Sequence, residues 1–586
     1  MQDNQENYIY DPDEKYKNEY KQLFLKNCTA FFDDLVKNSN IDVEKNIYTN
    51  KKITEYISIV DKLDNMNDKL KSNSKFLLTL IILFSIGIFL DVVIFVLSSE
   101  SFVLVFILLL VFFISGIVGF SLIRNITIKN KMATTSYEHG VSSGILNDLK
   151  KEAADQLVPL NALYKWGMTK KIIEQTVPII KLNDIFDIKM YDYLKSKYYL
   201  DTFIENDKTI TQILSGNIID NPFVIVKTLI KTMGTKTYYG SITVTWTSCH
   251  TDSKGNTVYT QNSQVLSASV TEPCPYYTNG SYVVYANESA PNLTFTKLPS
   301  NAPLMSDKKL EHFVKKEEKA INNIARKGVG TASNFTPTGN PKFDAVFKTT
   351  SRNNEIEYRL LFTPLSQTAM VNLILNNWDI YKPDFYFRKD KMLNYIKFET
   401  LEKIDLVDAP KKFKSSSVLE SKNKFISYNT TYFKLLYYCL APLLTIPLYQ
   451  HQRPQEYKYS TKYKCNISPW EREALGNYAI RRFKKLSESD TYCINKTKIT
   501  SKDDTTDIIE ITSYGFTTEK MVTHFTKMAN DGNYHDIPVY WTKYNPIENT
   551  FKIRVITVIT DNDISTNKNN LNAFLYKGTL CEILND

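Results

Sequence analysis

The sequence predicts an α+β protein built around a two-helix transmembrane hairpin, with a large soluble region of helices and antiparallel β-hairpins. Two apolar runs, residues 76–97 and 102–123, are separated by only four polar residues. After residue 220, β-branched and aromatic residues alternate with polar ones, which is typical of strands. Strong helix starts, such as Ser468 followed by Pro469, occur among these strands.

Each apolar run is long enough to cross a bilayer. A helix rises about 1.5 Å per residue, so each run reaches about 33 Å, against a hydrocarbon core of about 30 Å. The first run contains one ionisable residue, Asp91, and the second contains none. Runs of this length seldom lack polar interruptions in a soluble core, which disfavours a buried hairpin in a soluble protein. The lipid bilayer is therefore an expected partner.

The charges beside the hairpin predict its orientation. Three lysines lie between residues 69 and 75, and Arg124 with two more lysines follows the second run, whereas the connecting turn carries only Glu100. Lys and Arg near helix ends are retained in the cytoplasm. We therefore expect a multi-pass protein of the inner or plasma membrane, with its N- and C-termini in the cytoplasm.

Residues 1–75 are predicted to form N-terminal cytoplasmic helices that end in a short coiled-coil stalk. A polar Asn at an a position can set register in such a stalk. The a and d positions are Ile53, Tyr56, Val60, Leu63, Asn67 and Leu70. This stripe fits a homo-oligomer formed through the stalk and hairpin, and it equally fits packing on the chain's own residues after Arg124.

The chain beyond the hairpin is divided into four regions by changes in its pattern. We predict a juxtamembrane helical region at 124–220, an antiparallel β region at 221–300, a linker with a charged helix at 301–341, and a C-terminal α+β domain at 342–586. The soluble part is therefore expected to contain more than one folding region.

Several individual elements are predicted inside these regions. Phe343–Phe347 and Ile356–Phe362 have the composition of strands, and Ser281–Ala286 is expected to be a separate third strand after a long hairpin. Glu471 lies three residues after Ser468, so the two are expected to form a capping box at a helix start.

The net charge of the chain is +9 and is unevenly distributed. Residues 124–586 carry 60 Lys and Arg against 47 Asp and Glu. This excess would attract an anionic lipid surface or nucleic acid, although dispersed, solvated lysines are the simplest interpretation. The seven cysteines include no C-x-x-C pair, which favours reduced thiols over a disulfide framework.

The sequence contains no motif that predicts a catalytic, cofactor-binding or metal site. The six histidines are dispersed without H-E-x-x-H spacing, no phosphate loop follows a strand, and no zinc finger or helix-turn-helix is visible, so no specific nucleic acid is expected. Residues 140–144 match G-x-S-x-G but lack the preceding strand that a nucleophile elbow needs. The aromatic-rich strands are expected to pack in sheets rather than to stack bases.

Asp91 is the intramembrane polar candidate. An acid inside a transmembrane helix costs about 2.5–3.5 kcal/mol near the centre on insertion scales, so it often faces protein or water. It could take part in a proton-linked step or in a contact between hairpins, or it could reach the outer interface or stay protonated without a role. Ser115, Gly116 and Gly119 in the second run are small residues that would let the two helices approach closely.

Four short segments of the sequence are distinctive: Asn221–Phe223, Asn287–Leu293, Leu361–Leu365 and Ala441–Pro447. They resemble segments of a group of bacterial two-helix membrane proteins with a large cytoplasmic domain and no assigned activity. The resemblance implies the same plan of N-terminal helices, membrane hairpin and large soluble part. It implies no catalytic residue and no cofactor.

Three functions are compatible with these observations. The first is a non-enzymatic, membrane-anchored interaction or scaffold protein with protein partners. The second is a membrane-tethered enzyme whose site is assembled from dispersed residues, for which convergent Asp, Glu or His in a pocket would be the sign. The third is an exported surface protein with reversed topology, which would be expected to carry disulfides.

Overall fold

The computed structural model describes residues 8–97, 103–200, 206–251, 253–329, 335–407, 410–454, 467–502, 506–556 and 572–584. The chain combines helices with antiparallel sheets, so the α+β prediction is confirmed, and two long apolar helices precede a larger soluble region. The chain divides into two compact units. The larger unit consists of Met1–Thr29, Lys165–Ala409 and Tyr428–Asp586, and the smaller of Ala30–Tyr164 and Pro410–Ser427.

The helices of the described chain, in order, are α1 (Pro12–Lys15), α2 (Lys21–Ser39), α3 (Val43–Leu97), α4 (Val103–Leu122), α5 (Lys129–Gln156), α6 (Val158–Leu163), α7 (Met168–Thr176), α8 (Ile188–Tyr198), α9 (Asp307–Val329), α10 (Pro341–Val346), α11 (Glu355–Leu361), α12 (Pro364–Asn376), α13 (Trp378–Tyr381), α14 (Val418–Leu444), α15 (Pro447–His451) and α16 (Pro469–Arg482). Two π-helical segments, Tyr16–Tyr20 and Ile123–Ile128, continue α1 into α2 and α4 into α5.

The strands are β1 (Ile180–Leu182), β2 (Lys208–Ile218), β3 (Asn221–Thr251), β4 (Thr257–Ala286), β5 (Thr294–Lys297), β6 (Tyr386–Asp390), β7 (Leu393–Lys397), β8 (Ile494–Lys502), β9 (Thr506–Met528), β10 (Tyr534–Ile556), β11 (Ala573–Tyr576) and β12 (Thr579–Leu584). They form a seven-stranded sheet in the order β1-β2-β3-β4-β7-β6-β5 and a five-stranded sheet in the order β11-β12-β10-β9-β8. β1 and β2 lie inside the stretch that was expected to be helical.

The smaller unit is dominated by two long antiparallel helical segments. Helix α3 runs for 55 residues without a break, from the polar stalk through the first apolar run. The second segment continues from α4 through the π-helical residues Ile123–Ile128 into α5. Each segment contains an 18-residue window with a mean hydropathy of 2.8 and almost no buried residues, so both helices are long and apolar enough to cross a membrane.

Helices α3 and α4 pack through two reciprocal glycine–phenylalanine contacts. The ring of Phe84 on α3 fills the space beside Gly116 on α4, and a Cβ at Gly87 on α3 would lie 2.6 Å from the ring of Phe113 on α4. The expectation for Gly116 is therefore confirmed. Nothing lies within 4 Å of a Cβ at Gly119, so that glycine does not serve a close approach here.

The apolar stripe of the stalk is covered by the chain's own helix α5. Ile53 packs in a core cluster with Leu146 and Ala153, and the amide Nδ2 of Asn67 donates to Ser136 Oγ at 3.4 Å. Of the two interpretations of the stripe, intramolecular packing is the one observed. The polar a-position residue therefore contacts a helix of the same chain through its Nδ2, whereas its buried Oδ1 accepts no hydrogen bond from the residues that the structure describes.

In the larger unit, helices cover both faces of the seven-stranded sheet. On one face, Val224, Val226 and Val284 form a core with Leu194 of α8 and Trp470 of α16. Alternating residues of a strand point to opposite faces. The other face therefore carries the intervening residues of these strands, and α10, α11 and α15 pack there.

Aromatic side chains pack between the other face of the seven-stranded sheet and its covering helices. The ring of Phe295 on β5 lies 6.1 Å from Phe347, directly after α10, and 5.8 Å from Tyr358 of α11. The hydroxyl of Tyr285 on β4 donates to the Tyr449 carbonyl of α15 at 3.3 Å. Phe295 and Tyr285 are therefore packed inside the fold, whereas other aromatic side chains of the sheet, such as Tyr239 and Tyr259, are exposed.

Different residues of helix α16 belong to the hydrophobic cores of the two sheets. Trp470 and Ala474 belong to the core of the seven-stranded sheet, whereas Leu475 and Ala479 pack with Ile511 and its neighbours on the five-stranded sheet. One helix therefore ties the two sheets of this unit together.

Two strand pairs extend beyond their sheets as long ribbons. β2 pairs with β3 only as far as Ile230, but β3 continues to Thr251 in register with β4. β9 and β10 form a similar ribbon that turns at Gly532. The ribbons pack against each other through an apolar cluster that includes Leu266 and Ile537.

Three element predictions are wrong. Phe343–Phe347 and Ile356–Phe362 lie largely in helices α10 and α11, because Asn340 and Asn354 cap these helices with their side chains and supply a start signal that outweighs strand composition. Ser281–Ala286 is not a separate strand but the end of β4, whose pairing with β3 continues without a turn.

The predicted capping box is half formed. Ser468 Oγ accepts from the Glu471 amide at 3.2 Å, as expected for an N-cap. The Glu471 carboxylate instead accepts from the Phe186 amide at 2.9 Å, the Tyr576 hydroxyl at 2.6 Å and the Lys577 ammonium at 2.7 Å. A buried carboxylate needs such partners, and the tertiary donors take precedence over the local cap.

Candidate functional site

Asp91, the candidate from the sequence, lies on the side of α3 that faces α4. Its side chain is 7% exposed, whereas Leu90 beside it is 52% exposed. Gly87 and Phe95 lie one helical turn before and after Asp91, and both contact aromatic rings of α4. Residues four apart share a helix face. The acid therefore lies in the seam between the two helices of its own hairpin.

The other chemical signals from the sequence do not come together. Residues 140–144 lie within helix α5, where a Cβ at Gly140 or Gly144 would meet nothing within 4 Å. A nucleophile elbow requires a sharp turn between a strand and a helix. Across the described ranges, no group of three or more His, Cys, Asp and Glu side chains is arranged to hold a metal ion.

A cleft in the larger unit is a candidate site for binding. Its volume is about 450 Å³, and we call it the tyrosine cleft. It is lined by Tyr198, Tyr199, Lys208, Tyr282, Tyr386, Arg388, Asp390, Lys391, Met392, Leu393, Tyr395, Ile396 and Lys397.

The floor of the tyrosine cleft is the part of the seven-stranded sheet where the covered core ends. Tyr395 on β7 pairs with Val284 on β4 and with Arg388 on β6, so these three side chains share one face of the sheet. Tyr386 pairs with Lys397 one step along the same face. Val284 belongs to the core under α8, and the residues of β6 and β7 continue that face into the cleft.

The wall of the cleft is formed by the C-terminal end of α8. Tyr198 is buried there, and its hydroxyl donates to Glu288 at 3.5 Å. Tyr199 ends the helix in the left-handed conformation, with φ of 58°, and its side chain is 75% exposed. This conformation is usual for Gly and uncommon for a bulky residue.

The electrostatic character of the tyrosine cleft is positive. Four of its side chains are basic and one, Asp390, is acidic, and that acid already accepts from Arg388 at 2.6 Å. Two cations lie beside tyrosine rings: Lys208 Nζ is 5.7 Å from the centroid of Tyr282, and the Arg388 guanidinium is 6.0 Å from that of Tyr395. Cations near ring faces are favourable, and the four basic side chains against one acid leave an excess of positive charge in the cleft.

Basic and aromatic side chains dominate the lining of the cleft. No histidine lines the cleft, and its single carboxylate is paired with a guanidinium. General acid–base chemistry usually needs a group that titrates near neutrality. The tyrosine rings and the four basic side chains give the cleft flat surfaces and positive charge.

Sequence reasoning missed this site because its residues come from separated segments. β6 and β7 are neighbours along the chain, but nothing in the sequence indicated that β7 pairs with β4 more than 100 residues away. The local signal was the concentration of basic residues between Tyr386 and Lys397, a stretch that also contains Tyr395. No protein family, curated protein or solved structure matches this chain.

Proposed function

We propose that this protein is an integral membrane protein, anchored by the α3–α4 hairpin, that acts as a binding or scaffold protein rather than as an enzyme. The observation that carries the proposal is the outward apolar surface of the two helices. Side chains such as Phe89, Leu104 and Leu108 are exposed along the hairpin. Exposed apolar surface of this extent is unfavourable in water and favourable in a lipid bilayer.

The non-enzymatic part of the proposal is supported by the tyrosine cleft. In an enzyme assembled from dispersed residues we would expect unpaired carboxylates or histidines to converge in a pocket. The cleft holds one carboxylate, which is neutralised by Arg388. Its chemistry favours a bound anion that stays unchanged.

We further propose that both chain ends and the larger unit lie in the cytoplasm. The basic residues beside the hairpin support this orientation. The cysteines also support it, because Cys28, Cys274, Cys439, Cys493 and Cys581 are buried as free thiols and Cys249 is an exposed free thiol. Reduced thiols are usual in a cytoplasm.

The exposed thiol of Cys249 gives a direct test of this orientation. In intact cells, a membrane-impermeant maleimide should leave Cys249 unlabelled, and labelling should appear after the cells are lysed. A Cys249→Ser variant carrying Glu100→Cys should show the opposite pattern, because the connecting turn is expected outside. The protein should remain in the membrane pellet after an alkaline carbonate wash.

Other outcomes would contradict the proposal in distinct ways. Labelling of Cys249 in intact cells would favour an exported protein with reversed topology. Release by carbonate would contradict integral anchoring. The role of the hairpin in self-association is tested separately, because a second copy and lipid would both cover the outward faces of α3 and α4.

A further inference from the structure

We propose that the tyrosine cleft binds a nucleoside phosphate, with the base stacked on tyrosine rings and the phosphate held by the basic side chains of β6, β7 and β2. This inference goes beyond the membrane-anchoring proposal and does not depend on it. It is argued from the charge, the ring surfaces and the size of the cleft.

The charge of the cleft selects an anion. Arg388, Lys391 and Lys397 are exposed side chains of the β6–β7 hairpin, and Lys208 approaches from β2. Asp390 offsets one of these charges through its pair with Arg388. Arg binds a phosphate group through its planar, forked guanidinium, and Lys binds it through a single positive charge. The remaining positive charge matches a ligand with two or more negative charges.

The tyrosines select a ligand with a flat ring. Tyr282 and Tyr395 are half buried on the sheet face, so their rings form part of the floor. Tyr386 lies on the same face, and Tyr199 stands at the rim in a conformation that few bulky residues adopt. A base stacked on an aromatic side chain gains about 1–3 kcal/mol, and any base can stack because each has a π face. Inorganic phosphate alone would leave these surfaces unused.

The size of the cleft favours a single nucleotide over a nucleic-acid strand as the ligand. Its volume of about 450 Å³ falls within the range of small-molecule sites, about 300–1,000 Å³. Sites for single strands track about 4–16 nucleotides along a groove. A compact ligand such as a nucleoside mono- or diphosphate therefore fits better than an oligonucleotide.

The test is calorimetric titration of the full chain in nanodiscs of neutral lipid, with ADP as the probe. We expect ADP to bind at least about tenfold more tightly than adenosine, which has the ring without the charge, and than inorganic pyrophosphate, which has the charge without the ring. Equal affinity for pyrophosphate and ADP would overturn the stacking argument. Tighter binding of a ten-residue oligothymidylate than of ADP would overturn the assignment to a small ligand.

Variants connect the binding to this cleft. Lys397→Gln should weaken ADP binding about tenfold, because an exposed charge–phosphate contact is lost. Tyr386→Leu should weaken it at least about fivefold through lost stacking. Lys181→Gln is the matched control, since Lys181 is an exposed lysine on β1 at the other edge of the same sheet. ADP binding that is unchanged in Lys397→Gln, in a protein with an unchanged unfolding temperature, would exclude the cleft as the site.

Discussion

The ring of Phe84 occupies the space beside Gly116, so α3 and α4 approach each other where one helix has no side chain. The reciprocal contact of Gly87 with Phe113 repeats this arrangement one turn away. Small residues that admit a neighbouring ring are a common way for helices to pack in a membrane, where lipid is as apolar as the side chains.

Gly116→Val is expected to disrupt the hairpin. The added side chain overlaps the ring of Phe84, and overpacking of this kind costs about 1–3 kcal/mol. The measurement is the thermal unfolding of the detergent-solubilised full chain. Gly119→Val is the matched control, because nothing lies within 4 Å of a Cβ there. Adding Phe84→Ala to Gly116→Val should recover part of the loss, and a purely additive double variant would contradict the contact.

Asp91→Asn and Asp91→Leu are expected to leave the oligomeric state of the protein unchanged. The side chain is directed toward α4 of its own chain, so it is not available to a second hairpin. Both variants should also remain in the membrane fraction. Sedimentation of the solubilised proteins checks this. A loss of oligomer in the Leu variant, with retention in the Asn variant, would instead identify a polar contact between chains.

The buried ion pair between Lys297 and Asp384 is expected to be sensitive to loss of one partner. Both side chains are completely buried, and Lys297 Nζ also donates to the Phe385 carbonyl at 2.8 Å. Lys297→Met leaves a buried carboxylate without its cation and should lower the free energy of unfolding by about 3–5 kcal/mol. Denaturant unfolding measures this difference.

An exposed pair provides the comparison for that measurement. Lys434 lies 3.5 Å from Asp379, and both side chains are about half exposed. Lys434→Met should change the free energy of unfolding by less than about 1 kcal/mol. Replacing both buried partners, as Lys297→Met with Asp384→Leu, should be milder than Lys297→Met alone, and the reverse order would contradict the argument.

Lys389 is expected to make stability rise with pH above neutrality. Burial lowers the pKa of Lys389 from 10.5 to about 7, and its ammonium donates to the Ser289 carbonyl at 3.1 Å. Between these two pKa values the unfolded chain holds a proton that the folded chain has released. Stability therefore increases with pH in this window, by up to about 1.4 kcal/mol per pH unit.

Urea unfolding of the wild type and of Lys389→Met at pH 7, 8 and 9 tests this expectation. The difference between the two proteins isolates Lys389 from other groups that titrate in the same range. The variant should lose the upward slope, whereas Lys181→Met, which removes an exposed lysine of the same sheet, should retain it. Parallel pH profiles for wild type and Lys389→Met would show that the Lys389 side chain does not lose its proton when the chain folds.

The elements that could be predicted are those whose structure is determined by residues adjacent in the sequence. The α3–α4 hairpin follows from two apolar runs, and the start of α16 follows from Ser468 and Pro469. The helices α10 and α11 were missed because their start signals, Asn340 with Pro341 and Asn354 alone, stand before residues that also favour strands.

The candidate site was not predictable because it depends on strand register. Tyr395 reaches the cleft floor only because β7 pairs with β4, opposite Val284. A shift of one residue would turn Tyr395 and Arg388 to the other face of the sheet. The same register buries Lys389 next to the exposed Arg388, so neighbouring residues of one strand have opposite environments.

Helix α3 has a mechanical consequence because it does not break between the stalk and the apolar run. Its 55 residues form one rod of about 82 Å. A tilt of about 10° at the apolar end of such a rod displaces the other end by about 14 Å. A small change in tilt at the apolar end would therefore become a large lateral movement at Val43.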